Sequence, residues 1–310
     1  MIMTKKYCSG YSLLKHFEEK GADIRLLTDY KERKEHSMAI ETRFHIVEQE
    51  GPVVIWKFNN PPQNLMNLET QAELTELIEE FEANPELRVA IITSNLPDVF
   101  IQHFDVGTIL SEWSEMTPEE QAALMENAIK NPPPPRGFAR LRRKPIIAAI
   151  SGPTAGGGCE LTLQCEFRFM SRNAYLGCPE VNVGILPGGG GTQRMTRLLG
   201  ISRTMDMLLI GRVVDADEAE RIGLVHRACD VETLLPEAIQ YAQELARRPS
   251  MAVGHIMQCI YEGSQMPLQE GLMLESSLFL ELAQSEDAKR LMGEYVNSGQ
   301  DVEAAKDAPE

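Results

Sequence analysis

Apolar and polar residues alternate in two short stretches between residues 43 and 58, and this alternation predicts a β-hairpin. Arg43–Glu48 and Val53–Phe58 flank a turn at Gly51, and a period of two is typical of half-buried strands. Apolar residues then recur at helical spacing in Leu68–Phe81, and an apolar stretch follows at Val89–Thr93. This part of the chain is therefore predicted to form a β, helix, β unit.

Two short, mainly apolar stretches in the middle of the chain predict strands that are buried on both faces. They are Lys144–Ser151, which is wholly apolar over Ile146–Ile150, and Phe167–Met170, and apolar runs of this kind are typical of parallel sheets. Residues 152–160 between them contain three consecutive glycines, and Leu161–Gln164 is predicted to begin a helix. Residues 105–131, before the first stretch, are predicted to be helical with a break at Thr117-Pro118.

Helical periodicity dominates the chain from Gly200 onward, with one predicted strand at Leu224–Cys229. Pro132–Pro135 is predicted to be a stiff, extended connector. Predicted helix N-caps are Asp215, Asp217 and Ser285. The pattern predicts three parts: an N-terminal extension of unknown role (1–40), an α/β core (41–230) and a helical C-terminal region (231–310).

Composition and charge exclude several classes of protein. An apolar fraction of 43% and a charged fraction of 25% are ordinary for a globular protein. The 30 basic and 46 acidic side chains give a formal charge of −16, which opposes binding to nucleic acid and to anionic membranes. The chain has no signal-peptide pattern and no apolar run of about 18 residues, so we expect no membrane partner. Six cysteines without a CxxC pair predict reduced thiols and a cytoplasmic protein.

Two glycine-rich segments each carry one glutamate. In Ala155–Glu160, a glycine run that opens a helix leaves backbone N–H groups free at its positive end, which suits an anion or oxyanion site. The alternative is a tight turn packed against a neighbouring strand. Glu180 follows Pro179 in an apolar run, where burial would raise its pKa toward the range useful for proton transfer. For each glutamate, the alternative is a structural role as a helix-starting or salt-bridged residue.

The two segments together resemble the enoyl-CoA hydratase/isomerase, or crotonase, superfamily. The resemblance rests on GPTAGGGCELTLQCEFRF (152–169) and YLGCPEVNVGILPGGGGTQRMTRLLG (175–200), and it extends from about residue 43 to about residue 295. It implies an α/β fold, a crotonase-like spiral of ββα turns with a helical C-terminal trimerisation region. Closed homo-oligomers are common, and the family resemblance implies a homotrimer or a dimer of trimers.

The resemblance also implies the site residues. Glu160 and Glu180 fall where hydratases keep their catalytic carboxylates, and the backbone N–H groups of Phe104 and Gly157 are expected to form the oxyanion hole. The residues expected to contact CoA or substrate are Gln63, Asn64, Leu65, Gln102, His103 and Gly156. Phe100–Asp105 departs from hydratases, which usually have small residues and a glycine before the aspartate. His103 is accordingly a candidate auxiliary acid or base, with a hydrogen-bonded structural role as the alternative.

The predicted activity is syn hydration of a trans-2-enoyl-CoA to a 3-hydroxyacyl-CoA, or its reverse. Enoyl-CoA isomerisation, thioester hydrolysis and decarboxylation remain alternatives within the same superfamily, and a non-catalytic acyl-CoA-binding protein is an alternative of another class. The six histidines show no metal-ligand spacing. We therefore expect no metal and no cofactor other than the coenzyme A of the substrate.

Overall fold

The computed structural model describes residues 42–131 and 142–299. The predicted extension at 1–40 and the predicted connector Pro132–Pro135 lie outside these residues. The predicted hairpin is present: β1 (His45–Glu50) pairs antiparallel with β2 (Val53–Phe58), with Glu50 opposite Val53. Gly51 makes the turn with a φ of 59°, a value that glycine adopts without steric cost.

The central layer is a six-stranded sheet. After β1 and β2, its strands are β3 (Val89–Ser94), β4 (Ile146–Ile150), β6 (Phe167–Ser171) and β9 (Arg227–Cys229), and they lie in the order β1-β2-β3-β4-β6-β9. Every pair from β2 to β9 is parallel. Parallel neighbours require crossover connections, so the loops that leave their carboxyl ends meet at one edge of the sheet.

A smaller sheet lies beside this edge. Its strands β5 (Thr154–Ala155), β7 (Tyr175–Gly177) and β8 (Val213–Asp215) lie in the order β5-β7-β8. β5 pairs parallel with β7, which places Ala155 opposite Gly177. Strands of two or three residues have no detectable period, which is why the sequence pattern did not predict them. Their pairing brings the two glycine-rich segments together.

Helices connect and cover the strands. They are α1 (Leu68–Ala83), α2 (Val106–Glu115), α3 (Pro118–Lys130), α4 (Gly157–Thr162), α5 (Gly191–Leu199), α6 (Ile201–Ile210), α7 (Ala216–Arg221), α8 (Leu234–Ala246), α9 (Ser250–Gly263), α10 (Leu268–Ala283) and α11 (Glu286–Asn297). Asp215 and Ser285 cap α7 and α11 as predicted. Asp217 lies in the first turn of α7 and is not its cap.

Two predicted boundaries were wrong. The helix predicted from Leu161 begins four residues earlier, at Gly157, because the glycines themselves take up helical geometry. The strand predicted at Leu224–Cys229 covers only its last three residues. The N–H groups of Leu224 and Val225 donate to the Ala219 carbonyl oxygen at the end of α7, so these residues complete a turn and do not pair in the sheet.

The main core lies between the sheet and α8. Ile55, Ile91 and Ile147, on three adjacent strands, are buried against Ala238 and Ala242 of this helix. Small residues on one helix face let the helix approach the sheet closely, and each buried isoleucine contributes about 1.5–3 kcal/mol. The predicted division at residue 230 stays a prediction. Within the described part of the chain, no helix is both long enough and apolar enough to cross a membrane.

Candidate active site

The backbone N–H of Phe104 points away from Met66, the residue with which Phe104 forms a parallel β-bridge. Met66 donates its N–H to the His103 carbonyl oxygen (2.9 Å), and its own carbonyl oxygen accepts from Asp105 (2.7 Å). Alternate residues of an extended chain point their N–H groups to opposite sides, so the N–H of Phe104 points away from Met66. It has no hydrogen-bond acceptor within residues 42–131 and 142–299.

Gly157 brings a second free N–H to the same place. It is the first residue of α4, so its N–H has no partner inside the helix. A Cβ on Gly157 would lie 2.9 Å from the Phe104 Cβ and 3.3 Å from the Phe104 N. Only glycine therefore allows the two backbones to approach this closely. The Phe104 and Gly157 N–H groups are adjacent, as two donors to one oxygen must be.

Glu160 lies one turn into α4 and is buried, with 5% of its surface exposed. Its Oε1 accepts a hydrogen bond from the Gly191 N–H at the start of α5 (2.8 Å). Burial raises the pKa of this carboxyl group, and N–H groups of Gly189–Gly191 together with the Arg194 charge oppose that rise. Glu160 is therefore an oriented carboxylate whose charge is partly compensated by its surroundings.

Glu180 opens a short 3₁₀ helix (Glu180–Val183) directly after Pro179. Its Oε1 lies 3.3 Å from the position a Cβ would take on Gly156, and its Oε2 is buried with no hydrogen-bond partner among the described residues. Burial, and to a lesser extent the charge of Glu160, raise the pKa of Glu180 to about 7. A carboxyl group with this pKa can both donate and accept a proton near neutrality.

Three other predicted residues surround these groups. Gly156 has a φ of 53° and donates its N–H to the Gly177 carbonyl oxygen, which joins the two glycine-rich segments. The Gln102 backbone donates to Asn64 and accepts from Ala155. The His103 Nδ1 lies 2.8 Å from the Phe104 carbonyl oxygen, a contact that requires Nδ1 to carry the hydrogen. This hydrogen bond fits the structural alternative for His103.

The predicted CoA loop divides into residues of different kinds. The Asn64 side chain is fully buried, donates to the Phe100 carbonyl oxygen and to Ser94 Oγ, and accepts from the Asn60 N–H. These hydrogen bonds hold the loop together, and the predicted contact of Asn64 with CoA stays a prediction. Gln63 is exposed and Leu65 is half-buried, so their predicted contact with CoA stays a prediction.

Sequence reasoning did not identify Gly191 and Arg194 as parts of the site. Both belong to the second glycine-rich segment, in which Glu180 was the only predicted catalytic residue. Their relevance depends on the fold, which places the start of α5 against the Glu160 carboxylate. The described ranges contain no group of three or more His, Cys, Asp or Glu side chains that could hold a metal ion.

Two adjacent backbone donors with two carboxyl groups of raised pKa beside them define a class of enzyme: one that stabilises an oxyanion and moves protons next to it. A model of the enoyl-CoA hydratase/isomerase family matches residues 48–302. The chain belongs to this family, and the predicted family, the crotonase-like α/β fold and the acyl-CoA-processing enzyme class are confirmed.

Several named relatives cover most of the chain. It is 34% identical to the short-chain-enoyl-CoA hydratase of Clostridium acetobutylicum over 256 residues, 81% of this chain and 94% of the relative. It is 35% identical to the 2,3-dehydroadipyl-CoA hydratase of Escherichia coli over 78% of this chain and 91% of the relative. The crystal structure of enoyl-CoA hydratase from Bacillus anthracis superimposes with a TM-score of 0.71 at 29% identity, covering 83% and 97% of the two chains.

Proposed function

We propose that this protein adds water across the 2,3 double bond of a trans-2-enoyl-CoA, producing a 3-hydroxyacyl-CoA, and catalyses the reverse elimination. The observation that carries the proposal is the presence of two carboxyl groups, Glu160 and Glu180, beside one pair of free N–H donors. Isomerisation requires one group to shuttle a proton between carbons, whereas hydration requires a base for water and an acid for carbon. The arrangement supplies both.

The first part of the mechanism is polarisation of the thioester carbonyl. Its oxygen would accept hydrogen bonds from the Phe104 and Gly157 N–H groups. Attack at C3 moves electron density onto this oxygen as an enolate forms, so the donors stabilise the transition state more than the bound substrate. Each such donor is worth about 3 kcal/mol. Because both are main-chain groups on packed segments, they need no reorganisation during the reaction.

The second part is proton transfer by the two carboxyl groups. Glu160, held by the Gly191 N–H, removes a proton from water as its oxygen attacks C3. Glu180, whose pKa is raised to about 7 by burial and by Glu160, delivers a proton to C2 of the enolate. The pair interacts electrostatically, so its two protonation steps belong to both residues together. The chemistry uses the CoA thioester of the substrate and needs no further cofactor.

The test is an absorbance assay of the conjugated thioester with purified protein. Crotonyl-CoA and longer 2-enoyl-CoAs are expected to lose this absorbance as 3-hydroxyacyl-CoA accumulates, with the product identified by mass spectrometry. A 3-enoyl-CoA is offered in parallel. Consumption of the 3-enoyl ester alone would overturn the proposal in favour of isomerisation, and tight binding without turnover of any ester would overturn it in favour of a binding protein.

We also propose that the C-terminal helices assemble the chain into a homotrimer or a dimer of trimers. Large apolar side chains are exposed on α9 and α10, which an isolated chain would leave in water. They include Met251, Ile256, Ile260, Leu268, Met273, Phe279 and Leu280. Light scattering after size-exclusion chromatography is expected to give a trimer or hexamer mass, and a monomer mass would contradict the proposal.

A cytoplasmic location is the remaining proposal. Cys159, Cys165, Cys178 and Cys229 are buried free thiols, as expected of a protein in a reducing compartment. Fractionation of the producing cells with an antibody against the protein would test it, and recovery outside the cytoplasm would contradict it.

A further inference from the structure

The backbone of Gly189–Gly191 lies as a thin layer between two charged side chains. On one side, a Cβ on Gly189 would come within 2.7 Å of Glu160 Oε2, and a Cβ on Gly191 within 3.1 Å of Glu160 Oε1. On the other side, a Cβ on Gly190 would overlap the Arg194 guanidinium group. Three successive residues without side chains are therefore required for Glu160 and Arg194 to approach the layer from both sides.

Arg194 fixes this layer directly. Its Nη1 donates a hydrogen bond to the Gly189 carbonyl oxygen (2.9 Å), while Gly191, two residues further on, donates its N–H to Glu160 (2.8 Å). The two hydrogen bonds lie at opposite ends of a three-residue segment. A shift of the segment toward either partner would lengthen the hydrogen bond to the other, so Arg194 determines where the Gly191 N–H meets the catalytic carboxylate.

The position of Arg194 is electrostatically unfavourable without Glu160. Arg194 lies in the second turn of α5 and its side chain turns back toward the start of that helix. The start of a helix carries partial positive charge, so a cation placed there is destabilised. Glu160 lies at the same helix start and provides the compensating negative charge. The attraction between Glu160 and Arg194 therefore explains why a cation lies at the start of this helix.

We propose that Arg194 is a positioning residue that clamps Gly189–Gly191 against Glu160, so that this carboxylate is oriented and ionised for removing a proton from water. The proposal rests on the proposed hydration and extends it to a residue that does not touch the substrate. It also explains the division of labour between the carboxyl groups. Glu160 has this clamp on one side, whereas Glu180 has no cation beside it in the described structure.

The charged and titratable groups around the clamp are consistent with this role. Arg194 is the cation that opposes the burial-driven rise in the pKa of Glu160, and Glu180 is the anion on the other side of the site. The thiol of Cys178 also lies close to Gly191. The charged or ionisable groups that act electrostatically on Arg194 include Glu160, Arg142, Tyr261 and Arg197. Removal of the Arg194 charge is therefore expected to raise the pKa of Glu160, because burial would be less opposed.

The experiment compares Arg194→Met and Arg194→Lys with the matched control Arg197→Met. Arg197 is on the same helix but is exposed and bonds to Gln193. In Arg194→Met we expect kcat for crotonyl-CoA to fall about 10- to 100-fold while KM changes less than about 3-fold. The acidic limb of the kcat/KM profile is expected to move to higher pH, because loss of the Arg194 charge removes an influence that lowers the pKa of Glu160. In Arg194→Lys the acidic limb is expected to return most of the way to its wild-type pH. Arg197→Met is expected to match the wild type in both kcat and the acidic limb.

Equal kcat and equal acidic limbs in Arg194→Met and Arg197→Met would overturn the proposal. A second readout does not depend on activity: the titration of the Glu160 carboxyl carbon by ¹³C NMR, assigned by its loss in Glu160→Gln. Its pKa is expected to rise in Arg194→Met and to stay near the wild-type value in Arg194→Lys. If the wild type proves inactive on every enoyl ester, the proposed function fails, and an unchanged Glu160 titration in Arg194→Met would separately overturn the clamp.

Discussion

Glu160 and Glu180 share one site, but the protein holds them in different ways. Glu160 belongs to a regular helix, accepts a hydrogen bond from the start of another helix and faces a cation through a glycine layer. Glu180 lies on a single 3₁₀ turn after a proline, with one carboxyl oxygen buried and unpaired in the described structure. The same side chain is thereby favoured as a carboxylate in one place and as a carboxylic acid in the other.

The two environments give one fold an acid and a base from two residues of the same type. Burial raises the pKa of both carboxyl groups, so burial alone cannot separate them. What separates them is the number of hydrogen-bond donors and cations around each. The donors at Glu160 are backbone N–H groups, which the loop provides only because its residues have no side chains.

The largest predicted effect comes from removing either carboxylate. Glu160→Gln and Glu180→Gln are each expected to lower kcat for crotonyl-CoA by about 10²- to 10⁴-fold, because a positioned acid or base contributes this much. The measurement is steady-state hydration of crotonyl-CoA. Loss in one variant only would show that a single carboxylate suffices, which would contradict the account of two roles.

The next largest effect concerns the two oxyanion donors, the Phe104 and Gly157 N–H groups. In Gly157→Ala, the added Cβ would lie 2.9 Å from the Phe104 Cβ, so the two oxyanion donors must separate. We expect a fall in kcat/KM of about 10²-fold, which is the cost of a misplacement of about 1 Å. The matched control is Gly293→Ala in α11, where a Cβ meets no atom within 4 Å. Equal activity in both variants would contradict the assignment of Gly157.

The sequence predicted the elements of this site better than their mutual positions. Glu160 and Glu180 became candidates because each lies in a glycine-rich local pattern, and the oxyanion role of Gly157 was implied by the family resemblance. The contact between Gly191 and Glu160 joins residues 31 positions apart, and no local pattern encodes it. The hydrogen bonds of the Asn64 side chain show the same limit: its partners Ser94 and Phe100 are 30 and 36 residues away.

The fold shows the same limit. The long strands and α1 were predictable because each has enough residues to display a period or an apolar run. β5, β7 and β8 were not, since two or three residues in a strand gain their stability from their partners. These short strands position the catalytic loops, so the least predictable part of the fold is the part that builds the site.

A smaller effect separates two neighbouring glycines of the Glu160 loop. A Cβ on Gly189 would lie 2.7 Å from Glu160 Oε2, whereas a Cβ on Gly188 would meet no atom within 4 Å. Gly189→Ala is expected to lower kcat about 10-fold through displacement of Glu160, and Gly188→Ala is expected to stay within about 2-fold of the wild type. Steady-state kinetics of both variants decide it, and equal values would mean that the loop does not orient Glu160.

The smallest effect concerns stability at Glu180. Its folded-state pKa is raised from 4.5 to about 7. Between these pH values the carboxyl group ionises in the unfolded state but stays protonated in the folded state, so the free energy of unfolding falls progressively as the pH rises from 4.5 to 7. Above pH 7 we expect Glu180→Gln to increase the free energy of unfolding by about 1–2 kcal/mol, after discounting for partial exposure. At pH 4.5 the gain is expected to vanish. Urea unfolding at the two pH values measures it, and a gain independent of pH would contradict the raised pKa.

The most direct test of two different carboxyl groups is the pH dependence of kcat/KM for hydration of crotonyl-CoA. We expect a bell-shaped profile whose basic limb lies near pH 7, because Glu180 must be protonated and its pKa is about 7. We also expect that the residual activity of Glu180→Gln lacks this limb while that of Glu160→Gln retains it. A basic limb that survives in Glu180→Gln, or a wild-type profile that stays flat through neutrality, would contradict the account.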